Sequence, residues 1–501
     1  AGSEVIFVTD RNGIDVNEEE TVGKVLDILA HKLTYVGYTK GNSNLFAKVG
    51  IAEGITTPIT FLTTRNVSFE KDTGKGTINS PSSLNTYNQS ITGDIKKDEK
   101  YKEIGILDKE GVYTFSPKGT YTISLADGNP ITVERDITIN ADGSVLNLHT
   151  AGTRGISKSD GQYKTEIHAK KVHISVDNLA RVEGIHLGGQ GESTDQRNYL
   201  VIDGDTSIQV KGGPGYTLGV YSAGNAELLI KGNMIIKKDD GSWCVESLTD
   251  GALGFYSVSG LYAGSDYGVQ KGSTIHVEGD VDLAIKGTGI LANGGGATVI
   301  IDGGGNILTN KESKAGHYAL IAQSGHIRMN MNADMTDAGK RPVKIYGDLA
   351  TLGGSIHSDE PDKTTGIHLG LSTPDSFLYG IAENTVADPG EGKWTGEIDL
   401  VLKNGALWNH EVYSDCIKKE EIEKEKKGKI VESRVYLFKG AKTKETRGII
   451  MQNSEKRKIR ISNYSGHTLV LYKHDKTDPK KMIGGDFIIN KAEKDSMITL
   501  R

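Results

Sequence analysis

The sequence predicts an all-β chain, a right-handed parallel β-helix (β-solenoid) with an N-terminal capping subdomain. Three observations predict it. Gly is abundant and Pro scarce, 64 and 10 of 501 residues, where about 7 % and about 5 % are usual, so neither collagen nor Pro-rich disorder fits. Short segments alternate apolar and polar residues, as in Val172-His173-Ile174-Ser175-Val176 and Ile275-His276-Val277, which is the period of a half-buried strand. A second strand type, usually opened by Gly before an aliphatic residue, recurs at Gly155-Ile156, Gly184-Ile185, Gly219-Val220, Gly260-Leu261, Gly289-Ile290, Tyr318-Ala319-Leu320, Gly366-Ile367, Gly405-Ala406 and Gly448-Ile449. Its spacings, about 29 to about 48 residues, fall in the window of solenoid repeats. One such coil cannot bury its apolar face alone, so coils must stack, with the Gly-opened strands in vertical register.

Taken in order, residues 1–125 read as the cap, 126–432 as coils with loop excursions, and 433–501 as C-terminal coils. In the cap, Val22, Val25, Leu26, Leu29 and Leu33 have helical spacing over Glu18–Leu33, with Thr21 as N-cap. Strand-like runs follow at Ile59–Leu62 and Val112–Phe115, and the polar stretch Ser80–Lys102 reads as a long loop. A cap is physically required, because an open solenoid end is an unpaired sheet edge. The coils are interrupted between Lys237 and Ser273 by an excursion carrying Trp243, Phe255, Tyr256, Tyr262 and Tyr267 among Gly and Ser. Rigid aromatics in such a frame suit partner recognition, and the same rings could instead cap local coils. The run Lys418–Lys429 is almost wholly charged and reads as a solvated loop, with Glu–Lys spacing that also allows a short exposed helix. The C-terminal strands Val435-Tyr436-Leu437-Phe438, Leu469-Val470-Leu471-Tyr472 and Phe487-Ile488-Ile489 are expected to be the most apolar and best-buried part of the chain.

Composition and motifs exclude several function classes. The net charge is −6, against a polybasic nucleic-acid binder. No apolar run is long enough for a membrane-spanning helix. Cys244 and Cys416 are the two cysteines, too few for a disulfide scaffold, and a single bridge between them stays open. There is no G-x-S-x-G elbow, P-loop, H-E-x-x-H or C-x-x-C. His168, His173, His186, His276 and His368 all fall in strands, where stacked coils could align imidazoles for a metal. No carboxylate or thiol pattern accompanies them in sequence, so no metal and no cofactor are expected. Asp203, Asp205, Asp280, Asp282 and Asp302 sit at turns that Asp favours. No pair of acids stands out, and no enzyme is expected.

The C-terminal segment carries Ile461-Ser462-Asn463-Tyr464-Ser465-Gly466-His467-Thr468-Leu469-Val470-Leu471-Tyr472, then Ile483-Gly484-Gly485-Asp486-Phe487-Ile488-Ile489 and the tail Ser496–Arg501. This resembles the junction region of passenger domains of monomeric autotransporters (type V secretion). There an N-Y-S-G turn and a G-G-D-F strand belong to the last coils. Thr21-Val22-Gly23-Lys24 to Leu33-Thr34-Tyr35, with Val49-Gly50-Ile51-Ala52-Glu53-Gly54-Ile55, is similar to the start of such passengers. The resemblance covers both ends closely and the middle in style. It implies a passenger exported through an outer-membrane translocator barrel, absent from this chain, and displayed at the cell surface or secreted. It also implies an autochaperone-like role for 433–501. The Gly-Asp-Ser motif of the family's protease subclass is absent.

These readings give an expectation of a monomeric adhesin for a host glycan or protein receptor, or for a neighbouring bacterial surface. The contact residues expected are Trp243, Phe255, Tyr256, Tyr262 and Tyr267. A carbohydrate-active β-helix enzyme and a self-associating passenger that aggregates bacteria are the alternatives.

Overall fold

The computed structural model describes the strands found within residues 5–132 and the segments 137–150, 153–158, 164–178, 182–189, 197–212, 216–237, 245–247, 258–265, 272–313, 318–352, 364–385, 396–428 and 431–501. The described residues are overwhelmingly strands, most of them paired in parallel, and form a β-solenoid. The chain divides into two compact units, Ala1–Ile235 and Ile236–Arg501.

In the first unit, Val5–Phe7, Ile59–Thr63, Thr120–Leu125 and Ile137–Thr150 pair in parallel, one on the next. A separate antiparallel sheet holds Leu33–Thr39, Asn44–Val49, Lys75–Asn79 and Asn66–Phe69. The expected strands at 59 and 112 are present as Ile59–Thr63 and Val112–Thr114. The expected helix lies outside the described residues apart from Leu33, which opens a strand. Regular coils follow. Lys164–Asp177 buries alternate residues, including Ile167, Val172, Ile174 and Val176, and turns a corner at a register shift between His168 and Lys171, as a bulge does. Val182–Gly189 then forms the third side of that coil.

The Gly-opened strands stack in register on this third side: Ile156 on Ile185, and Ile185 on Val220. The glycine has a steric cause. A Cβ on Gly184 would sit 2.5 Å from the carbonyl oxygen of Gly219 and press on the γ-methyl of Ile208. The corner therefore closes only without a side chain.

The second unit repeats the three-sided coil. One turn runs Thr274–Val277, Val281–Ile285, Thr288–Asn293, and the next runs Thr298–Ile301, Gly305–Thr309, Tyr318–Gln323. On the third side Leu261, Ile290, Leu320, Leu349 and Ala382 form one ladder. The vertical register expected of the Gly-opened strands breaks after Tyr318. Gly366–Leu371 stacks on the first side, between His326–Met329 and Glu397–Leu402, and the strands after Gly405 and at Gly448 stack on the second side. The true third-side members after Tyr318 are Asp348–Leu352 and Ala382–Thr385. Gly366–Leu371 is buried on both faces, whereas Gly448–Gln452 and Leu407–His410 alternate buried and half-buried residues, so a Gly-aliphatic pattern does not by itself tell which side of the coil a strand occupies.

The third side ends at Thr385 among the described residues. Later turns have two strands: Glu397–Leu402 with Leu407–His410, Glu432–Lys439 with Gly448–Gln452, Lys458–Ser465 with His467–His474, and Phe487–Ala492 with Met497–Leu500. The charged run is a helix, α1 (Asp415–Lys426), rather than a loop. Ser414 caps it, its Oγ accepting from the backbone N–H of Cys416 at 3.2 Å and of Ile417 at 3.5 Å, with Asp415 in the first turn and Lys424 and Lys426 in the last, as the helix dipole favours. Ile417 and Val412 bury against Leu291, Ile321, Ala350 and Ile381, so α1 packs on the third sheet. Cys416 carries a free thiol, and Cys244 lies outside the described residues.

Interior side chains change where the third side stops. The second-side ladder reads Leu283, Ile307, Ile345, Leu378, then Trp408. The first-side ladder passes from Leu369 and Leu400 to Phe438 and Tyr464. The rings stack, with Trp408–Phe438 centroids 6.5 Å apart and Phe438–Tyr464 5.7 Å apart. Two sheets facing each other need larger side chains to span the gap of about 10 Å.

Candidate functional site

The first side of the second unit carries a groove of about 610 Å³ on its outer face. Its floor is a ladder of outward side chains paired strand to strand: His368 to Asp399, Asp399 to Leu437, Leu437 to Asn463, Asn463 to Lys491. Outward positions of a solvent-facing strand are ordinarily polar. Leu437 is nonetheless 45 % exposed there, and Met335 is 46 % exposed on the wall.

That wall is the corner segment between Met329 and Val343. Asn330 anchors it, donating from Nδ2 to the carbonyls of Arg341 at 3.0 Å and Gly370 at 2.9 Å. Lys403 binds Asp337 at 2.6 Å and Lys439 donates to the Thr336 carbonyl at 2.7 Å. Burial pushes the Asp337 carboxyl up, but the hydrogen bond and charge of Lys403 prevail and hold its pKa below the ordinary value. Arg341 pairs with Asp280, Nε to Oδ1 at 3.0 Å, which lowers the Asp280 pKa. The segment is thus fixed at both ends and along its length.

At the head of the groove His368, Glu397 and Asp399 each bring a ligating atom within 4.8 Å of the others. His368 is 4 % exposed. Its Nδ1 lies 2.9 Å from Asp399 Oδ2, and Asp399 Oδ1 accepts from the Leu437 backbone N–H at 3.0 Å. Nε2 of His368 is buried with no hydrogen-bond partner. Asp399 therefore fixes the imidazole through one nitrogen and leaves the other presented. His368 was singled out in the sequence, but its acids were not, because they stand one coil later and only strand register brings them together.

Among the contact residues expected from sequence, Trp243, Phe255, Tyr256 and Tyr267 lie outside the described residues. Tyr262 stands on Val258–Gly264, half-buried against the cluster of Leu291 and Ile321, and its hydroxyl accepts from Asn293 Nδ2 at 2.9 Å. It does not border the groove.

A second polar cluster closes the interior where the third side ends. His410 bonds Gln452 Oε1 through Nδ1 at 2.6 Å and Ser433 Oγ through Nε2 at 2.7 Å. Gln452 donates its amide to the carbonyls of Arg457 and Gly485, so its oxygen accepts and His410 Nδ1 carries the proton. Burial, aided by the charge of Arg457, lowers the His410 pKa to about 3. Arg457 is buried and bound by Glu421 of α1, with its NH1 on the Glu432 carbonyl at 2.9 Å. Asp348 is buried under the backbone N–H groups of Ile381, Tyr413 and Ser414 at 3.0, 3.0 and 2.8 Å, and burial raises its pKa to about 6. The Ser433–His410 pair is wholly inaccessible to a substrate, so this cluster is a seal.

Comparison with protein-family models, with curated proteins and with solved structures finds no match for the chain. No helix among the described residues is long and apolar enough to cross a membrane.

Proposed function

We propose that the chain is the exported passenger of an autotransporter and acts as an adhesin at the bacterial surface. The two end motifs support the export reading. The observation that carries the binding reading is the groove, in which exposed Leu437 and Met335 stand among polar lining residues that include Lys439, Asn463, Lys491 and Glu493. Apolar anchors among polar groups are the anatomy of a recognition surface. A long open groove of this volume fits an extended ligand, a glycan chain or a peptide segment of a host receptor.

The test is an array of glycans and host surface proteins probed with the purified chain and with Leu437→Asp. The expected result is one ligand class bound by the parent and lost by the variant. Equal binding by both removes the groove from the proposal.

A carbohydrate-active enzyme is the second reading, favoured by Glu397 and Asp399 in one groove. Glycoside hydrolysis needs two available carboxyl groups about 5–9.5 Å apart. Asp399 already uses both oxygens on His368 and Leu437, which ranks this reading below adhesion. Shortening of a bound polysaccharide by the parent, abolished in Glu397→Gln, would reverse the ranking.

A further inference from the structure

We propose that the head of the groove binds one divalent transition-metal ion of the zinc class, held by His368, Glu397 and His326 with Asp399 as the positioning residue. The proposal is independent of the adhesion reading. It rests on four observations around Gly366.

Gly366 lies between His326 and Glu397 in strand register, His326 on one neighbouring strand and Glu397 on the other. A Cβ at Gly366 would meet His368 Nε2 at 2.9 Å and His326 Nδ1 at 3.0 Å, so the two imidazole nitrogens lean over the place where this residue has no side chain. The two rings are 5.8 Å apart and nearly parallel, at 10°. Two imidazoles on one tetrahedral ion, with metal–nitrogen bonds of about 2.0–2.1 Å, place their ring centres roughly 5 Å apart, so the spacing is near that required and the rings turn on binding to bring their in-plane lone pairs onto the ion. Finally, His368 Nε2 is buried without a partner, and a polar atom left so costs free energy unless something occupies the space before it.

Asp399 does for His368 what outer carboxylates do for metal-bound histidines. It holds Nδ1, fixes the ring and leaves Nε2 as the donor. Glu397 supplies the anionic oxygen, its carboxylate lying within 4.8 Å of ligating atoms of His368 and Asp399, and His326 would join them from the strand on the other side of Gly366. Two imidazoles with one carboxylate form a zinc-type set with a fourth position free. Calcium and magnesium, which prefer all-oxygen ligands, do not suit it. The fourth position would face the groove, whose lining includes His368, Glu397 and Asp399.

The test uses the full chain, freed of metal by chelation, titrated with Zn²⁺ against a chromophoric chelator, and with Co²⁺ followed by visible absorption. The expected result is one equivalent of Zn²⁺ bound, an intense tetrahedral Co²⁺ spectrum and a raised Tm. Glu397→Gln and His368→Asn should each weaken binding at least tenfold. Gly366→Ala, which puts a methyl group in the cradle, should abolish it while the circular dichroism stays that of a folded β-solenoid. His276→Ala, at a His–Asp pair elsewhere on the same side, should bind as the parent does. A parent that takes up no Zn²⁺, or takes it up equally with Gly366→Ala and Glu397→Gln, overturns the proposal. If His368→Asn fails to fold, Gly366→Ala and Glu397→Gln decide the matter.

Discussion

Between Thr274 and Thr385 the second unit winds three strands per turn, and between Glu397 and Leu500 it winds two. The three-sided turns are filled by Ile, Leu, Val and Ala, close their corners with glycine, and bury nearly every side chain of the third side. The two-sided turns are filled by Trp408, Phe438 and Tyr464, and where the third side stops they are closed by hydrogen bonds among His410, Ser433, Gln452 and Arg457. Most of the groove floor also belongs to the two-sided turns. The difference teaches that a solenoid can give up one sheet if larger side chains fill its interior and a polar seal closes its edge.

Substitutions in the two interiors give the largest contrast. Trp408→Ala should cost about 3–5 kcal/mol, the range for deleting a buried ring, and its indole N–H would no longer satisfy the Gly380 carbonyl at 2.9 Å. Ile345→Val, on the same ladder in a three-sided turn, should cost about 0.5–1.5 kcal/mol. Chemical denaturation of both variants measures the ratio, and equal costs would erase the proposed distinction between the two interiors.

Glycine substitutions sharpen the comparison at the corners. A Cβ on Gly289 would collide with the Ala319 carbonyl oxygen and lie 2.9 Å from the γ-methyl of Ile307. Gly289→Ala should therefore destabilise by about 1–3 kcal/mol through overpacking. Gly428, beyond the helix end, has φ of 68° and nothing within 4 Å of a Cβ. Gly428→Ala should cost about 1 kcal/mol, from the left-handed backbone alone.

The smallest effect is the pH dependence of the seal. His410 has its pKa lowered by burial to about 3 from 6.5. As pH falls through 6.5 the unfolded chain takes up a proton there and the folded chain does not, so the stability this group contributes above 6.5 is lost as pH falls towards 3. Asp348 has the opposite sign. Its pKa is raised to about 6 from 3.8, so its contribution is whole below 3.8 and lost as pH rises through 6. Between pH 7.5 and 6 His410 should dominate, and His410→Gln should flatten the fall of Tm over that window. An unchanged slope would show that the seal does not exclude the charged imidazole.

How much of this was legible in the sequence follows the range of the signal. Alternation and Gly-opened strands are local, and they placed the coils up to Tyr318 correctly. The side of the coil to which a strand belongs depends on corner lengths, so the Gly-aliphatic pattern does not tell that the strands at Gly366, Gly405 and Gly448 lie off the third-side ladder. Apolar composition suggested that Phe487-Ile488-Ile489 and Leu471 would be the best-buried strands. They are half-buried, and Met497 and Leu500 are exposed, because burial needs a facing sheet as well as apolar residues. The helix at Asp415–Lys426 was hidden by charge, its one buried anchor being Ile417. The groove was invisible, since His368, Asp399, Leu437 and Asn463 are brought together only by parallel register.

The most direct test of the account is one adhesion measurement with two variants. Cells or beads displaying the chain would be compared with Leu437→Asp in the groove and with the triple substitution Trp243→Ala, Tyr256→Ala, Tyr262→Ala in the aromatic excursion. Leu437 is exposed but stands opposite Asp399, so the new carboxylate should cost up to about 1 kcal/mol through like-charge pairing while adhesion falls at least tenfold. The triple variant should lose adhesion only in proportion to any loss of folded protein. Full adhesion by Leu437→Asp, with adhesion lost from a stably folded triple variant, would contradict the account and move the contact surface to the excursion.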